Sequence, residues 1–295
     1  MPRCSPEKNF EELWETFHNR YPFFALRGVD WKQQYETYRP QVTSETSSDE
    51  LFAVLCRMLD PLDDGHVELE ARIDGRKRYF TAEKPPRFHR EFTDRQIKEL
   101  FRTTDKTLVA NGFARPATTD AWMLRYARSH TFGYLRILEL EGIKRRNLTA
   151  ALDKIALDFR DLRGFIIDIR DNPGGDDSTA LAIINRFSDR KRVAFHRRTK
   201  TGPGPDDFTP LKTWHLEPQG DAQFTGPIVL LTCDSVFSGG EAFALAIREL
   251  PYVTILGDHT NGIFSYQLEK TLPNGWEYCL SYQEYVSADR VCYEG

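Results

Sequence analysis

With 295 residues, 40% of them hydrophobic and 13% aromatic, the chain is long enough to bury one substantial core, with room for a small accessory domain. Forty basic residues against forty-four acidic ones leave a formal charge of -4, so bulk electrostatics point to neither nucleic acid nor an anionic membrane as partner. No apolar run approaches the roughly 20 residues of a membrane-crossing helix, and Met1-Pro2-Arg3-Cys4-Ser5 is not an apolar signal segment; the expectation is a cytosolic protein, or one exported with its leader already removed.

From Phe10 to Leu62 the pattern is aromatic-rich and helical, with Leu13, Trp14 and Phe17, then Leu51, Phe52, Leu55, Met58 and Leu59, at three-to-four spacing. Ser48 or Asp49 is the expected cap of the second helix, which stops at Pro61. These residues read as a helical cap, residues 1–70, ending in the loop that carries His66. Residues 71–130 read as a connector, with a hairpin at Asp74-Gly75, a break at Pro85-Pro86 and a charged helix near Asp94–Arg102.

From residue 131 to 295 strands and helices alternate. The expected order is strand Phe132–Leu138, helix Asn147–Phe159 capped by Asn147, strand Gly164–Ile169, helix Ser178–Phe187 and strand Arg192–Phe195. Strand Ile228–Leu231, helix Gly239–Leu250 and strand Val253–Leu256 follow. Such alternation implies right-handed crossovers and a mainly parallel sheet covered on both faces, an α/β core. Lys200 to Phe224, rich in Pro, Gly and Asp, reads as one long loop, and Leu272-Pro273-Asn274-Gly275-Trp276 as a hairpin turn.

Five cysteines, Cys4, Cys56, Cys233, Cys279 and Cys292, are scattered without C-x-x-C spacing, which argues against a disulfide framework and a zinc site. Cys233 closes an apolar run and reads as a small buried hydrophobe. No H-E-x-x-H, G-x-x-x-x-G-K-[ST] or G-x-G-x-x-G motif is present, so neither a metal nor a cofactor is expected.

In open α/β folds ligands collect where strands run into helices, and two such loops stand out. Arg170-Asp171-Asn172-Pro173-Gly174-Gly175 follows an apolar strand, and its glycines let backbone N–H groups approach a bound oxyanion closely. The same residues also read as a plain Pro-Gly turn. Asp234-Ser235-Val236-Phe237-Ser238-Gly239-Gly240-Glu241 places Ser238 at a helix N-terminus, where amides stabilise developing negative charge. Ser238…Glu241 is equally an S-x-x-E capping box. A serine nucleophile needs a base, and of seven histidines two sit in suitable loops: His66, in Asp63-Asp64-Gly65-His66, and His259, in Gly257-Asp258-His259-Thr260-Asn261-Gly262.

In that order, Asp171–Gly175, Ser238–Glu241 and Leu256–Gly262 resemble the core of the S41 (tricorn-core and C-terminal-processing) peptidases. The Asp64-Gly65-His66 loop and the ending Leu272–Trp276…Tyr293-Glu294-Gly295 look like the tricorn-type branch. The resemblance implies a ClpP/crotonase-like α/β core behind the N-terminal cap. It implies Ser238 as nucleophile, His66 as general base and Glu294 as the acid orienting it. The oxyanion hole would be the N–H of Gly239 with that of Gly174 or Gly175, and the substrate a peptide or a small acyl compound.

Three departures accompany it. The lysine base of the processing branch would fall at Ile263, which excludes a Ser-Lys dyad. Gly65 stands where the tricorn pattern has a serine, reducing a tetrad to a triad. Glu294 is next to the last residue, where fraying is expected. The PDZ domain of the family is not evident in residues 72–126. The alternatives are an acyl-transferring, cyclising or small-molecule hydrolase, and a non-catalytic module binding an apolar ligand, as in a retinoid-binding protein of the eye that carries similar domains.

Overall fold

The computed structural model describes residues 5–119 and 121–295; Cys4 lies outside the described residues. Ser5 opens α1 (Pro6–Arg20): its hydroxyl accepts from the Lys8 N–H at 3.3 Å, and Pro6 takes the first helical position, where no N–H is needed. A short helix that the sequence pattern did not suggest, α2 (Trp31–Tyr38), is capped by Asp30. The cap of α3 (Ser48–Leu59) is Ser47, one residue earlier than expected, because Glu50 reaches back to the Ser47 N–H and closes a reciprocal capping box. Past a turn of 3-10 helix the chain reverses at Asp63, φ 46°, into the loop bearing His66. Strands β1 (Glu68–Ile73) and β2 (Arg76–Thr81) form the expected hairpin, its turn residues Asp74 and Gly75 both at positive φ.

Next come α4 (Arg87–Glu91), α5 (Asp94–Ala110), β3 (Ala117–Thr118), β4 (Leu124–Arg128), β5 (Phe132–Ile137), α6 (Arg145–Phe159), β6 (Gly164–Asp168) and α7 (Asp177–Ile184). They are followed by β7 (Arg192–Thr199), β8 (Lys212–Leu216), β9 (Ile228–Thr232), α8 (Gly239–Ile247), β10 (Val253–Gly257), β11 (Gln267–Thr271), β12 (Glu277–Ser281) and β13 (Gln283–Val286). The central sheet has the order β10-β9-β6-β5-β4-β3. Its first four strands are parallel and β4 and β3 run antiparallel at one edge. Residues from α6, α7 and α8, among them Ile155, Ile183 and Phe243, bury against it, so β6 and β9 are apolar runs up to their last residues, the buried Asp168 and Thr232. The mainly parallel α/β core expected from the alternation is present.

Several boundaries fall differently. β3 and β4 extend the core sheet, so residues 117–128 belong to the core rather than to a connector. β7 leaves the parallel sheet and pairs with β8 and β13 in a separate antiparallel sheet; β8 lies inside the stretch read as loop. The N-cap position of α6 is Lys144, not Asn147, and carries no side-chain cap. Most consequential for the site, the hairpin β11–β12 joins the cap: the order β11-β12-β1-β2 makes one four-stranded sheet, and Trp276, Tyr278 and Leu280 share a core with Phe10, Phe17 and Leu55. An edge strand leaves a row of N–H and C=O groups unpaired; β12 pairs that edge of β1. The chain therefore crosses between core and cap three times, with His66 on the cap side, just before β1, and Ser238 in the core, between β9 and α8.

Candidate active site

Ser238 stands at the N-terminus of α8, after β9, with φ 53° and ψ -120°. With the Phe237 C=O accepting from the Gly240 N–H at 2.9 Å, this is the first central position of a type II′ turn, usually glycine. A serine held there carries strain of about 1–3 kcal/mol. The strain is fixed from outside the turn, since the Ser238 N–H donates to Ile263 O at 3.0 Å. Its hydroxyl forms no capping bond, so the local capping-box reading fails at its first member. Glu241, the second member, is fully buried and accepts from the N–H groups of Gly262 at 2.6 Å and Ile263 at 2.5 Å. Burial pushes its carboxyl up to about 7, against those donors. Glu241 thus anchors the loop whose Ile263 carbonyl fixes Ser238.

The glycine loop lies directly on this turn. A methyl group added at Gly174 would stand 2.6 Å from Phe237 O and 2.8 Å from both Gly239 N and Ser238 Cβ. One added at Gly239 would stand 2.2 Å from Gly175 O. Asn172, fully buried, ties the pieces together: its amide donates to Ile137 O at 2.9 Å, its Oδ1 accepts from the Gly174 N–H at 2.9 Å, and its carbonyl accepts from the Phe237 N–H at 3.0 Å. The Gly174 N–H is therefore engaged. Gly175 makes an isolated parallel bridge to Leu140 in which its neighbours supply the bonds, Leu140 N to Gly174 O at 2.7 Å and Asp176 N to Leu140 O at 3.1 Å. That leaves the Gly175 N–H directed away from Leu140.

His66 lines the same cleft as Ser238, about 390 Å³ in volume, with Gly175, Phe237 and Tyr266. Its ring packs edge-on to Phe237 with centroids 4.8 Å apart. The imidazole is 4% exposed and its Nδ1 has no partner. Burial pushes its pKa down to about 4, partly opposed by the charge of Asp64. No hydrogen bond joins His66 to Ser238 among the described residues. Glu294 is also buried: its Oε2 accepts from the Phe264 N–H at 3.0 Å and its Oε1 is unpartnered. Burial and the nearby Asp64 raise its pKa far above the usual carboxylate range. The neighbouring Gly295 N–H donates to Gly262 O at 2.7 Å, so the segment expected to fray is pinned beside the 262–264 loop. His259 is exposed and bonds locally to the Thr260 carbonyl, away from this arrangement. Cys233 is buried beside Ser235.

Two residues here escaped the sequence reading. Asp64, fully buried, accepts from the His66 N–H at 2.8 Å and from the Tyr21 hydroxyl at 3.0 Å. It fixes the His66 backbone to the end of α1. The only local signal was its place two residues before His66; Tyr21, 43 positions earlier, carried none.

The model of peptidase family S41 matches residues 131–295, and that of the tricorn protease C1 domain matches residues 2–60. The carboxy-terminal processing protease CtpA of Bacillus subtilis (strain 168) is 25% identical over 162 residues, 55% of this chain; the chain spans about a third of that relative's length, 32%. Among solved structures, a putative peptidase from Parabacteroides merdae ATCC 43184 is 27% identical with a TM-score of 0.80, covering 99% of this chain and 87% of the other. Mature CPAF, solved with lactacystin, shares the fold at 12% identity and a TM-score of 0.68, covering 98% of this chain and 91% of its own.

Proposed function

Given that the chain belongs to peptidase family S41, we propose that it hydrolyses peptide bonds with Ser238 as nucleophile, His66 as base and Glu294 as the acid that orients His66. The observation that carries this is Ser238 itself: a non-glycine residue held at φ 53° at a helix N-terminus, its hydroxyl free of any cap, in one cleft with a buried histidine. His66 takes the hydroxyl proton as Oγ attacks the carbonyl carbon, and returns it to the leaving amine; water then releases the acyl group by the same steps. The N–H groups of Gly239 and Gly175 stabilise the oxyanion, Gly174 being occupied by Asn172. The unpartnered Nδ1 of His66 and Oε1 of Glu294 are the atoms this reading pairs; catalytic hydrogen bonds are often long without substrate and tighten once it is bound.

A fluorophosphonate probe should label the wild-type protein and not Ser238→Ala, and peptide hydrolysis should vanish in Ser238→Ala and His66→Ala. Equal labelling of Ser238→Ala would place the nucleophile elsewhere. The carboxylates lining the cleft make it a poor receptacle for an apolar ligand, and no observation favours acyl transfer or cyclisation over hydrolysis.

A further inference from the structure

We propose that the cleft selects substrates bearing a positive charge beside the bond to be cut, either a lysine or arginine side chain or a free α-amino group. The proposal rests on the reading of Ser238 given above and adds the substrate class. Besides Ser238 and His66, the cleft is lined by Glu68, Glu141, Asp176 and Glu269. An adjoining cleft shares Gly65, Glu68, Pro173 and Phe237 with it and adds Glu83. Neither cleft is lined by a lysine or an arginine.

Among the described residues none of these five carboxylates forms an ion pair, whereas Asp171, lining the adjoining cleft, already has His89 Nε2 as a hydrogen-bonding partner at 3.1 Å. Their hydrogen-bonding neighbours are neutral: Glu68 accepts from Tyr79 and from the Cys279 thiol, and Asp176 caps α7. Arg145 lies in the next groove beyond Glu141 and Asp176 and pairs with neither.

Strand register concentrates this charge. Cys279 on β12 is opposite Glu68 on β1 and Glu269 on β11, so the two glutamates share a face of the sheet, about 10 Å apart across two inter-strand spacings. Only the neutral Cys279 side chain, whose thiol bonds Glu68, stands between them. The cleft is not carboxylate alone: His66 and the uncapped Ser238 also line it. A cleft of one sign with low-dielectric walls focuses its field and concentrates oppositely charged substrate.

The test uses quenched-fluorescence peptides that differ at one scanned position, lysine, norleucine or glutamate, each with a free or an acetylated N-terminus. For the wild type, kcat/KM at low salt should favour lysine over norleucine by about tenfold at one position, with glutamate poorest. Glu68→Gln/Glu269→Gln should compress that ratio to about twofold, and added salt should compress it in the wild type, since partly exposed charges are screened. Fluorophosphonate labelling of the double variant reports that its nucleophile is still formed. A preference surviving N-acetylation assigns the charge to a side chain; one confined to the free amine assigns it to the α-amino group. Equal turnover of lysine and norleucine peptides, or a ratio unmoved by the double substitution, overturns this proposal alone. Absence of cleavage of every peptide, with no labelling, overturns the hydrolase reading and this one with it.

Discussion

Replacing Gly174 by alanine tests how closely the glycine loop and the nucleophile turn depend on each other. Two costs follow from the structure. Gly174 has φ +101°, a conformation that costs an alanine about 1–3 kcal/mol. Its new methyl would stand 2.6 Å from Phe237 O and 2.8 Å from Gly239 N and Ser238 Cβ, and relieving such overlaps typically costs about 1–3 kcal/mol more. None of these three atoms is the flexible end of a side chain, so backbone must move. A displacement of about 1 Å between nucleophile and oxyanion donors is expected to lower kcat about 100-fold. Gly75→Ala is the matched control: φ is +76° but nothing lies within 4 Å, so only strain is added, far from the cleft. Urea unfolding should place Gly174→Ala about 2–6 kcal/mol below wild type from these two costs, and peptide hydrolysis should fall for Gly174→Ala but not for Gly75→Ala. Wild-type kcat/KM in Gly174→Ala would refute the claim that this loop braces the nucleophile.

Four further outcomes follow from the same geometry. The acid limb of kcat/KM should have its midpoint at about 4, where burial places His66, since activity is lost as pH falls and the base becomes protonated; a limb near the ordinary 6.5 would remove His66 from that role. The unfolded chain binds more protons at this histidine between 6.5 and about 4, so His66 lowers stability as pH falls through that window, a share that His66→Gln should abolish in unfolding measurements. Tyr21→Phe deletes a buried bond to Asp64 and should cost about 1.5–3 kcal/mol, the range for hydrogen bonds to charged groups, with kcat falling more than KM changes; an unchanged urea midpoint would count against it. Glu241→Ala strands the N–H groups of Gly262 and Ile263 at about 1–3 kcal/mol each, read as a lower Tm together with weaker fluorophosphonate labelling, and wild-type values for both would show that Glu241 does not anchor Ser238.

What the sequence disclosed was what short windows encode. The β6 and β9 strands and the loops after them were readable because apolar runs end in Gly-bearing turns within a few residues. Pairing across hundreds of residues was not: nothing in Gln267–Ser281 says that its hairpin completes the sheet of β1 rather than the core, because strand partners are chosen by tertiary packing. β8 was hidden in a Pro-, Gly- and Asp-rich stretch, where composition says loop although Lys212–Leu216 pairs with β7. Ser238 shows how local grammar misleads. S-x-x-E spells a capping box, and such a box forms at Ser47 and Glu50, yet at Ser238 the backbone is turned to φ 53° and Glu241 bonds the 262–263 loop instead.

Phe237 links the departure at Gly65 to the nucleophile. A Cβ at position 65 would lie 2.8 Å from Phe237 Cζ, so a serine there requires that ring to move. The ring packs on His66, and its backbone is fixed at N–H by Asn172 and at C=O by the Ser238 turn. Glycine at 65 and phenylalanine at 237 are therefore a matched pair: the volume a tetrad serine would use is filled by an aromatic edge that shields one side of His66. That shielding is part of the burial that depresses the His66 pKa. A Phe237→Ala variant opens this side to water and should move the acid limb of kcat/KM upward from about 4 toward the ordinary 6.5. A limb left in place would mean that the ring contributes nothing to the burial of His66.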